Sequence, residues 1–154
     1  MTSREKRIDI VSDTHGRLSP ELLTELSGAD LIVHAGDITS DMDLDHLRAI
    51  APVQAVLGNN DHYFYDYGPD VTRLNEFEYE GLRFAVSHYR EDLPLDRVDI
   101  AVCGHSHVPV VAEMGSYVLI NPGSPTFPRT ARGATMARSW VADGALVSAE
   151  IIEL

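Results

Sequence analysis

Five short apolar runs of the sequence are each followed by a side chain that can bind a metal ion. The clearest case is residues 102–110, VCGHSHVPV, in which two histidines follow a glycine where an apolar run ends. The seven candidate side chains are Asp13, His15, Asp37, Asn59, His88, His105 and His107. Because open α/β sheets build their sites at the carboxyl ends of strands, we expect these side chains to converge.

The donor atoms of this set are those of a transition-metal site. Imidazole nitrogens mixed with carboxylate and amide oxygens suit Mn²⁺, Fe, Co²⁺, Ni²⁺ or Zn²⁺ rather than Ca²⁺. Seven ligands are too many for one tetrahedral ion, but they suit two ions that share a carboxylate and clamp a phosphate ester. We therefore predict two divalent metal ions, with Mn²⁺ as the first choice and Ni²⁺, Co²⁺, Fe²⁺ or Zn²⁺ as alternatives.

Each motif on its own has an ordinary structural explanation. Residues 13–16 and 58–61 are compatible with turns, residues 36–37 with a loop, and His88 with a histidine bonded to backbone. Residues 104–107, GHSH, favour a ligand pair and a turn about equally. Turns alone do not explain why all five motifs follow apolar runs, so the joint pattern indicates a metal site.

Two of the motifs place their ligands two residues apart. In extended backbone, the spacing of Asp13 with His15 and of His105 with His107 would direct each pair to one side. The neighbouring glycines would let the backbone approach whatever is bound. His34, in contrast, lies within an apolar strand, and we interpret it as a core histidine.

The apolar runs and turn residues also predict the elements that position these side chains. Helices are predicted from Ser19-Pro20 to Gly28 and over residues 41–51. Strands are predicted over residues 8–11, 31–33, 55–57, 74–79, 82–86, 100–103, 108–114 and 135–142. The last two begin hairpins that turn at residues 115–116 and 143–144, and residues 59–70 are predicted to be a loop.

The order of these elements indicates one domain, residues 1–154, of the α/β class. The βαβαβ beginning implies parallel strands with right-handed crossovers, and hairpins follow in the second half. The simplest arrangement is two sheets packed face to face and flanked by helices.

Composition excludes some classes of partner. Twenty-four acidic residues face twelve basic ones, and a net charge of −12 disfavours nucleic acids and anionic membranes. The single cysteine cannot form an internal disulfide, and no apolar run is long enough for a signal peptide or a membrane span. We therefore expect a cytoplasmic protein, and the edges of its hairpins suit a homodimer.

The ordered motifs Asp13-x-His15, Gly36-Asp37, Gly58-Asn59-x-Asp61, His88 and Gly104-His105-x-His107 resemble those of the calcineurin-like metallophosphoesterases. The short length and the Asn121-Pro122-Gly123-Ser124 segment are similar to the small phosphodiesterase branch of bacteria and archaea. The resemblance implies a four-layer α/β/β/α sandwich of two mixed sheets flanked by helices.

The resemblance also implies a role for each ligand. One metal would be held by Asp13, His15 and His107, and the other by Asn59, His88 and His105. Asp37 would bridge the two ions, and a shared hydroxide would attack the phosphorus of a small ester in line. The catalytic residues implied are Asp37, Asn59 and Asp61.

Four residues are expected to face the substrate. Asn60 follows a metal ligand, and Asn121, Gly123 and Ser124 would supply a backbone nest and a hydroxyl for the phosphate. The alternative for the last three is a turn leading to Pro125.

The sequence departs from the family pattern at two places. Many relatives have a histidine that protonates the leaving group where this chain has Asn60, and His62 is a candidate substitute. Relatives also often read His-Gly-His where this chain reads His88-Tyr89-Arg90.

Two classes of function remain open at this point. A metal-dependent phosphoesterase, most simply a phosphodiesterase, explains why all seven ligands are present. The alternative is a catalytically decayed scaffold that binds proteins, as in the small subunit of retromer, which resembles this family. A decayed scaffold would be expected to lose ligands.

Overall fold

Two five-stranded sheets packed against each other form the centre of the protein. The computed structural model describes residues 5–154, and the first four residues of the predicted domain 1–154 lie outside the described residues. Across the first sheet the strands follow the order 145–153, 135–142, 6–11, 31–34 and 53–55, and across the second the order 74–79, 82–87, 100–102, 118–121 and 110–113.

The strands and helices fall close to their predicted positions. The strands are β1 (Lys6–Val11), β2 (Leu31–His34), β3 (Val53–Ala55), β4 (Leu74–Tyr79), β5 (Leu82–Ser87), β6 (Ile100–Val102), β7 (Val110–Glu113), β8 (Val118–Asn121), β9 (Thr135–Ala142) and β10 (Ala145–Glu153). The helices are α1 (Pro20–Leu26) and α2 (Asp41–Ile50), and single 3₁₀ turns form at Arg90–Asp92 and Leu95–Arg97. Strand β3 starts two residues before the predicted run, and Val56 instead forms an isolated bridge with Thr72.

Serine caps start both helices, and the cap at Ser19 is the one that the sequence predicts. The Ser19 side chain accepts a hydrogen bond from the Leu22 N–H at 3.2 Å, and the Ser40 side chain accepts one from the Asp43 N–H at 3.1 Å. Neither helix, nor any other helix within residues 5–154, is long and apolar enough to cross a membrane.

Parallel pairing in the first sheet aligns the ends of three strands. Val11 pairs with His34, and His34 pairs with Ala55, so β1, β2 and β3 end at the same level. The predicted parallel βαβαβ unit is therefore confirmed. The loops that begin at Ser12, Ala35 and Val56 therefore emerge at the same edge of the sheet, in that order.

The second sheet aligns three more strand ends. Val86 pairs in parallel with Val102, and Val102 pairs in parallel with Ile120. The predicted hairpin of β4 and β5 is confirmed, and its turn residues Glu80 and Gly81 have φ of 51° and 79°. Such left-handed pairs are typical of two-residue hairpin turns.

Three apolar clusters hold the layers together. Between the sheets lie Ile8, Ile10, Leu31, Val33, Val56, Leu82, Phe84, Val86, Ile100, Val102, Ile120, Ala137 and Val141, among others. Both helices pack on the outer face of the first sheet, through Leu22, Leu26 and Leu47. The outer face of the second sheet is covered by residues 89–98, including Leu93 and Val98. The predicted four-layer sandwich is confirmed, with single 3₁₀ turns as the helical part of its fourth layer.

The last residue of β2, His34, is completely buried, which confirms its interpretation as a core histidine. Its Nδ1 accepts a hydrogen bond from the Gly36 N–H at 3.1 Å. Nε2 therefore carries the proton and donates it to Thr14 Oγ1 at 2.9 Å. This neutral imidazole joins the loops that follow β1 and β2. Burial lowers the pKa of His34 to about 4, although nearby carboxylates oppose the shift.

The buried His34 makes the protein sensitive to mild acid. In the unfolded chain its pKa is about 6.5, so as pH falls from 6.5 towards 4 the unfolded state binds a proton that the folded state does not. We expect this difference to lower the free energy of unfolding by roughly 3 kcal/mol at pH 4 and to leave it unchanged above pH 7. The variant His34→Gln has no imidazole at this position and so does not lose stability in this way. The difference in unfolding free energy between the wild type and the variant should therefore narrow as pH falls.

Urea denaturation of the metal-free proteins between pH 4 and 7.5 measures this gap. His46→Gln, on the exposed side of α2, is the matched control and keeps the wild-type pH dependence. Parallel stability profiles for wild type and His34→Gln would contradict a buried neutral His34.

Candidate metal centre

The loops that carry the ligands have an unusual backbone. Asp13, His15, Asp37, His105 and His107 have φ of 55°, 49°, 58°, 69° and 61°, in the left-handed region. The expectation that the paired ligands share one side of extended backbone is therefore wrong, because the strands have already ended at these positions. Aspartate and histidine are among the side chains that enter this region most readily, which is one local reason for the motif.

Three glycines allow the loops to approach one another. A Cβ at Gly104 would lie 2.0 Å from Ser12 Oγ, and a Cβ at Gly58 would lie 2.2 Å from Asp37 Oδ1. A Cβ at Gly36 would lie 2.8 Å from the Gly58 nitrogen. No larger residue fits these positions without moving a ligand loop.

The first candidate ligand group consists of Asp13, His15 and His107. One ligand atom from each lies within 4.8 Å of the others. His107 Nε2 is 3.2 Å from Asp13 Oδ1 and 3.4 Å from His15 Nε2. Two nitrogens and a carboxylate oxygen thus face one common point.

The second group consists of Asp13, Asp37 and His88, again with ligand atoms within 4.8 Å of one another. His88 Nε2 lies 3.5 Å from Asp37 Oδ2 and 3.8 Å from Asp13 Oδ1. Asp37 Oδ2 is also 3.7 Å from His15 Nε2. Both carboxylates therefore lie between the two sets of imidazoles.

Two further predicted ligands adjoin the second group. Asn59 Oδ1 lies 3.0 Å and His105 Nδ1 lies 3.3 Å from His88 Nε2. All seven predicted side chains are thus brought together. The carboxylates of Asp13 and Asp37 are buried, whereas Asn59 and His105 are exposed, so the centre is open to solvent on one side.

Backbone carbonyls fix the protonation of two imidazoles. His88 Nδ1 lies 2.7 Å from the Ala35 carbonyl oxygen, and His107 Nδ1 lies 2.7 Å from the Phe127 carbonyl oxygen. Each Nδ1 must donate, because a carbonyl can only accept. Nε2 of each neutral ring therefore presents a lone pair to the centre, as in metal-binding histidines.

One buried oxygen in the centre lacks a hydrogen-bond donor. Asp13 Oδ2 accepts bonds from Ser12 Oγ at 2.6 Å and the His105 N–H at 3.0 Å, but Asp13 Oδ1 has no hydrogen-bond partner among the described residues. A buried carboxylate oxygen without a partner is costly unless a cation neutralises it. This oxygen faces the Nε2 atoms of both ligand groups, so the residues present fit two divalent ions.

The electrostatics of the centre agree with this interpretation. Burial alone would raise the pKa of the Asp13 carboxyl, but contacts with His15 and Ser12, helped by neighbouring imidazoles, outweigh it and hold that pKa below its usual value. Contact with Asp13 raises the pKa of His15 against the opposing effect of burial. The site therefore favours an ionised carboxylate and attracts positive charge.

Asp61, predicted to be catalytic, joins two ligand loops. Its carboxylate accepts bonds from the backbone N–H groups of Asp37 at 2.8 Å and Gly58 at 2.8 Å, and from Thr39 N–H at 2.9 Å. The Tyr67 hydroxyl donates a further bond at 2.7 Å. Both oxygens of Asp61 are thus engaged in holding the loops that carry Asp37 and Asn59.

Asn60, predicted to bind substrate, holds the Asp37 carboxylate. The Asn60 backbone N–H donates to Asp37 Oδ1 at 2.8 Å, and its side-chain amide donates to Asp37 Oδ2 at 2.9 Å. These two donors fix the direction in which Asp37 faces the centre.

The other three predicted substrate-binding residues, Asn121, Gly123 and Ser124, lie against the loops that carry the ligands. The Asn121 amide donates to the Gly104 carbonyl and to Ser106 Oγ, both at 3.0 Å. Ser124 Oγ donates to the Asp13 carbonyl at 2.8 Å. Gly123 has φ of 73°, and a Cβ there would lie 2.2 Å from Thr135 Oγ1. The side chains of Asn121 and Ser124 are buried, and their polar atoms bond to protein.

Sequence reasoning missed several supporting groups. Ser12 stands next to Asp13, and that adjacency was an available signal for a donor to its carboxylate. The Phe127 carbonyl gave no such signal, because it lies 20 residues from His107 in the sequence. The Tyr67 hydroxyl gave none either, because its contact with Asp61 depends on how the loop of residues 59–70 folds.

Comparison with known proteins agrees with this geometry. The family model of the calcineurin-like phosphoesterase superfamily domain matches residues 7–144. A probable metallophosphoesterase of Methanothermobacter thermautotrophicus is 36% identical over 164 residues, covering 94% of this chain and 91% of that protein. A phosphodiesterase of Methanocaldococcus jannaschii is 25% identical over 138 residues, covering 76% of this chain and 82% of that protein.

A solved structure shows the same fold. Vacuolar protein sorting 29 of Cryptosporidium parvum superposes with a TM-score of 0.76 at 17% identity, covering 97% of this chain and 98% of that one. At this identity the similarity concerns the fold alone. The family match extends over most of the sequence, and every motif of the metal centre lies within it. The chain belongs to the calcineurin-like phosphoesterase superfamily.

Proposed function

We propose that this protein is a binuclear metal-dependent phosphodiesterase that hydrolyses a small phosphate ester. The observation that carries the proposal is the convergence of the seven ligand side chains: His15, Asp37, His88 and His107 lie around the partnerless Asp13 Oδ1, and Asn59 and His105 adjoin His88. The open side of the centre, where Asn59 and His105 are exposed, gives an ester access to it.

The ligands divide into two sets in this proposal. Asp13, His15 and His107 hold one divalent ion, and Asn59, His88 and His105 hold the other, with Asp37 between them. Two such ions would lower the pKa of a shared water and neutralise charge on the phosphate during in-line attack. Mn²⁺ is the proposed native metal, with Ni²⁺, Co²⁺, Fe²⁺ and Zn²⁺ as alternatives that the mixed donors also suit.

Asp61 and Asn60 act on the ligands in this scheme rather than on substrate. Asp61 fixes the two loops, and Asn60 orients the Asp37 carboxylate. Asn60 cannot supply a proton to the leaving group because an amide does not titrate. His62 packs beside Phe64, with ring centroids 5.6 Å apart. We therefore propose that the substrate has a leaving group that departs without a histidine acid at position 60.

Unpaired arginines around the centre support an anionic substrate. Within residues 5–154, the arginines in ion pairs are Arg7, Arg48, Arg83, Arg97, Arg132 and Arg138. Arg17, Arg90 and Arg129 have no carboxylate partner within residues 5–154. Arg17 and Arg90 each lie two residues beyond a predicted ligand, and Arg129 Nη1 is 3.5 Å from the Ser106 carbonyl, between two others. In a chain of net charge −12, free cations here offset repulsion of a phosphate ester.

A protein-binding scaffold is the second candidate function. The fold similarity to vacuolar protein sorting 29 favours it, but that similarity concerns the fold alone. The complete ligand set and the orientation of His88 and His107 have no use in a scaffold without metals. The phosphodiesterase is therefore the function that we propose.

Metal removal and restoration tests the proposed activity. We expect metal-stripped protein to be inactive, and Mn²⁺ to restore hydrolysis of bis-p-nitrophenyl phosphate more than of p-nitrophenyl phosphate. Calorimetry should give two ions per chain. His105→Ala removes one exposed ligand and should lower turnover about 100-fold or more.

His46→Ala, an exposed histidine of α2, is the matched control and should keep wild-type turnover. Ni²⁺, Co²⁺, Fe²⁺ and Zn²⁺ are assayed in parallel to rank the metals. Two bound ions without turnover on either ester would rule out the hydrolase and favour the scaffold.

Asn60→Ala tests the proposed positioning role of this side chain. The variant loses the donor to Asp37 Oδ2 but keeps the backbone donor to Oδ1. We expect metal affinity, measured by calorimetry, to fall about 10- to 100-fold while the melting temperature of the metal-free protein changes little.

Asn75→Ala is the matched control, because Asn75 makes a part-buried bond to Gln54, between the edge strands β4 and β3, instead of contacting a ligand. Its metal affinity should equal that of wild type. An unchanged metal affinity in Asn60→Ala would contradict the proposal that the Asn60 side chain positions Asp37 for metal binding.

A further inference from the structure

A cavity of about 240 Å³ opens directly beside the metal centre. We call it the Tyr89 cavity; its lining includes Tyr89, Arg90, Cys103, His105, Val110 and Leu119. His105 belongs to both spaces, since its Nδ1 lies 3.3 Å from His88 Nε2. The Tyr89 cavity and the metal centre therefore adjoin at the His105 side chain.

The walls of the Tyr89 cavity are mainly apolar. Cys103 and Leu119 are buried, and Val110 completes the wall from the edge strand β7. A buried cysteine behaves as a small hydrophobic side chain. The Tyr89 ring lies 4.7 Å from the His105 ring, between centroids, and these two rings line the side of the cavity that adjoins the metal centre.

The size of the cavity limits what it holds. Pockets for whole ligands usually measure about 300 to 1,000 Å³, so this cavity suits one ring rather than a complete nucleotide. Its rim carries opposite charges, Arg90 and Glu91, which do not pair with each other. Apolar walls with such a rim select a flat apolar group over a second anion.

We propose that the Tyr89 cavity binds an aromatic arm of the phosphate ester while the phosphate lies at the metal centre. This inference rests on the proposed function, because it requires the centre to hold a phosphate. It names the substrate class as aryl esters, or esters with another flat ring next to phosphorus. Residues 89 and 90, where the sequence departs from the family pattern, thereby become determinants of specificity.

Binding of phosphonates to the Mn²⁺-loaded protein tests this proposal without turnover. Phenylphosphonate and methylphosphonate share the anionic group and are not esters, so neither is consumed. We expect calorimetry to show phenylphosphonate binding at least about tenfold more tightly to the wild type, because its ring is buried. Val110→Trp fills the cavity and should reduce this preference to about twofold, with methylphosphonate affinity unchanged.

The control and a second variant exclude effects on folding. Val147→Trp places the same side chain at an exposed position on β10, an edge strand of the first sheet, and should retain the wild-type preference. Tyr89→Ala removes the wall next to His105 and should also reduce the preference for the ring while leaving methylphosphonate binding intact.

The outcomes separate this inference from the function on which it rests. Equal affinity of the wild type for both phosphonates, or a ring preference that survives in Val110→Trp and Tyr89→Ala, would overturn the Tyr89 cavity assignment alone. Absence of binding for both phosphonates would overturn the proposed function, and this assignment with it.

Discussion

The rest of the structure depends on two buried carboxylates that lie at the ends of neighbouring strands. Asp13 and Asp37 are both withdrawn from water, and the protein supplies each with some donors but leaves Asp13 Oδ1 without one. Placing two such charges together is unfavourable unless cations lie between them. Backbone carbonyls orient His88 and His107 with their lone pairs towards the centre, so a bound cation would both neutralise the carboxylates and accept these lone pairs.

The apolar core between the sheets provides the rigidity that this arrangement requires. Parallel pairing brings the ends of β1, β2 and β3 to one level, and β5, β6 and β8 to another. Each strand ends in a loop that leaves the core at once. Residues with left-handed backbone conformations are strained, and contacts with the surrounding structure must offset this strain. Asp61, Asn121 and Ser124 supply many of those contacts. Side chains that look like substrate ligands in the sequence are thus used to hold the loops in place.

The ligands and the elements that carry them could be predicted from the sequence because their signals are local. An apolar run followed by aspartate or histidine identifies a strand end without any knowledge of the fold. The roles of Asn121 and Ser124 could not be predicted in this way. Whether Ser124 faces a substrate or the Asp13 carbonyl depends on a contact across 111 residues. The parallel pairing of β6 with β8 could not be predicted from local signals either, because β7, which lies between them in the sequence, is placed at the edge of the sheet beyond β8.

The left-handed backbone of five ligand residues has a consequence for how such a centre changes over evolutionary time. Asparagine and glycine adopt this conformation at little cost, so either can replace aspartate or histidine there without disturbing the loop. Loss of a ligand is therefore separable from loss of the fold, provided that the glycines at the loop contacts remain. Chemistry can disappear one residue at a time while the sandwich persists, which leaves a stable surface free to acquire another use.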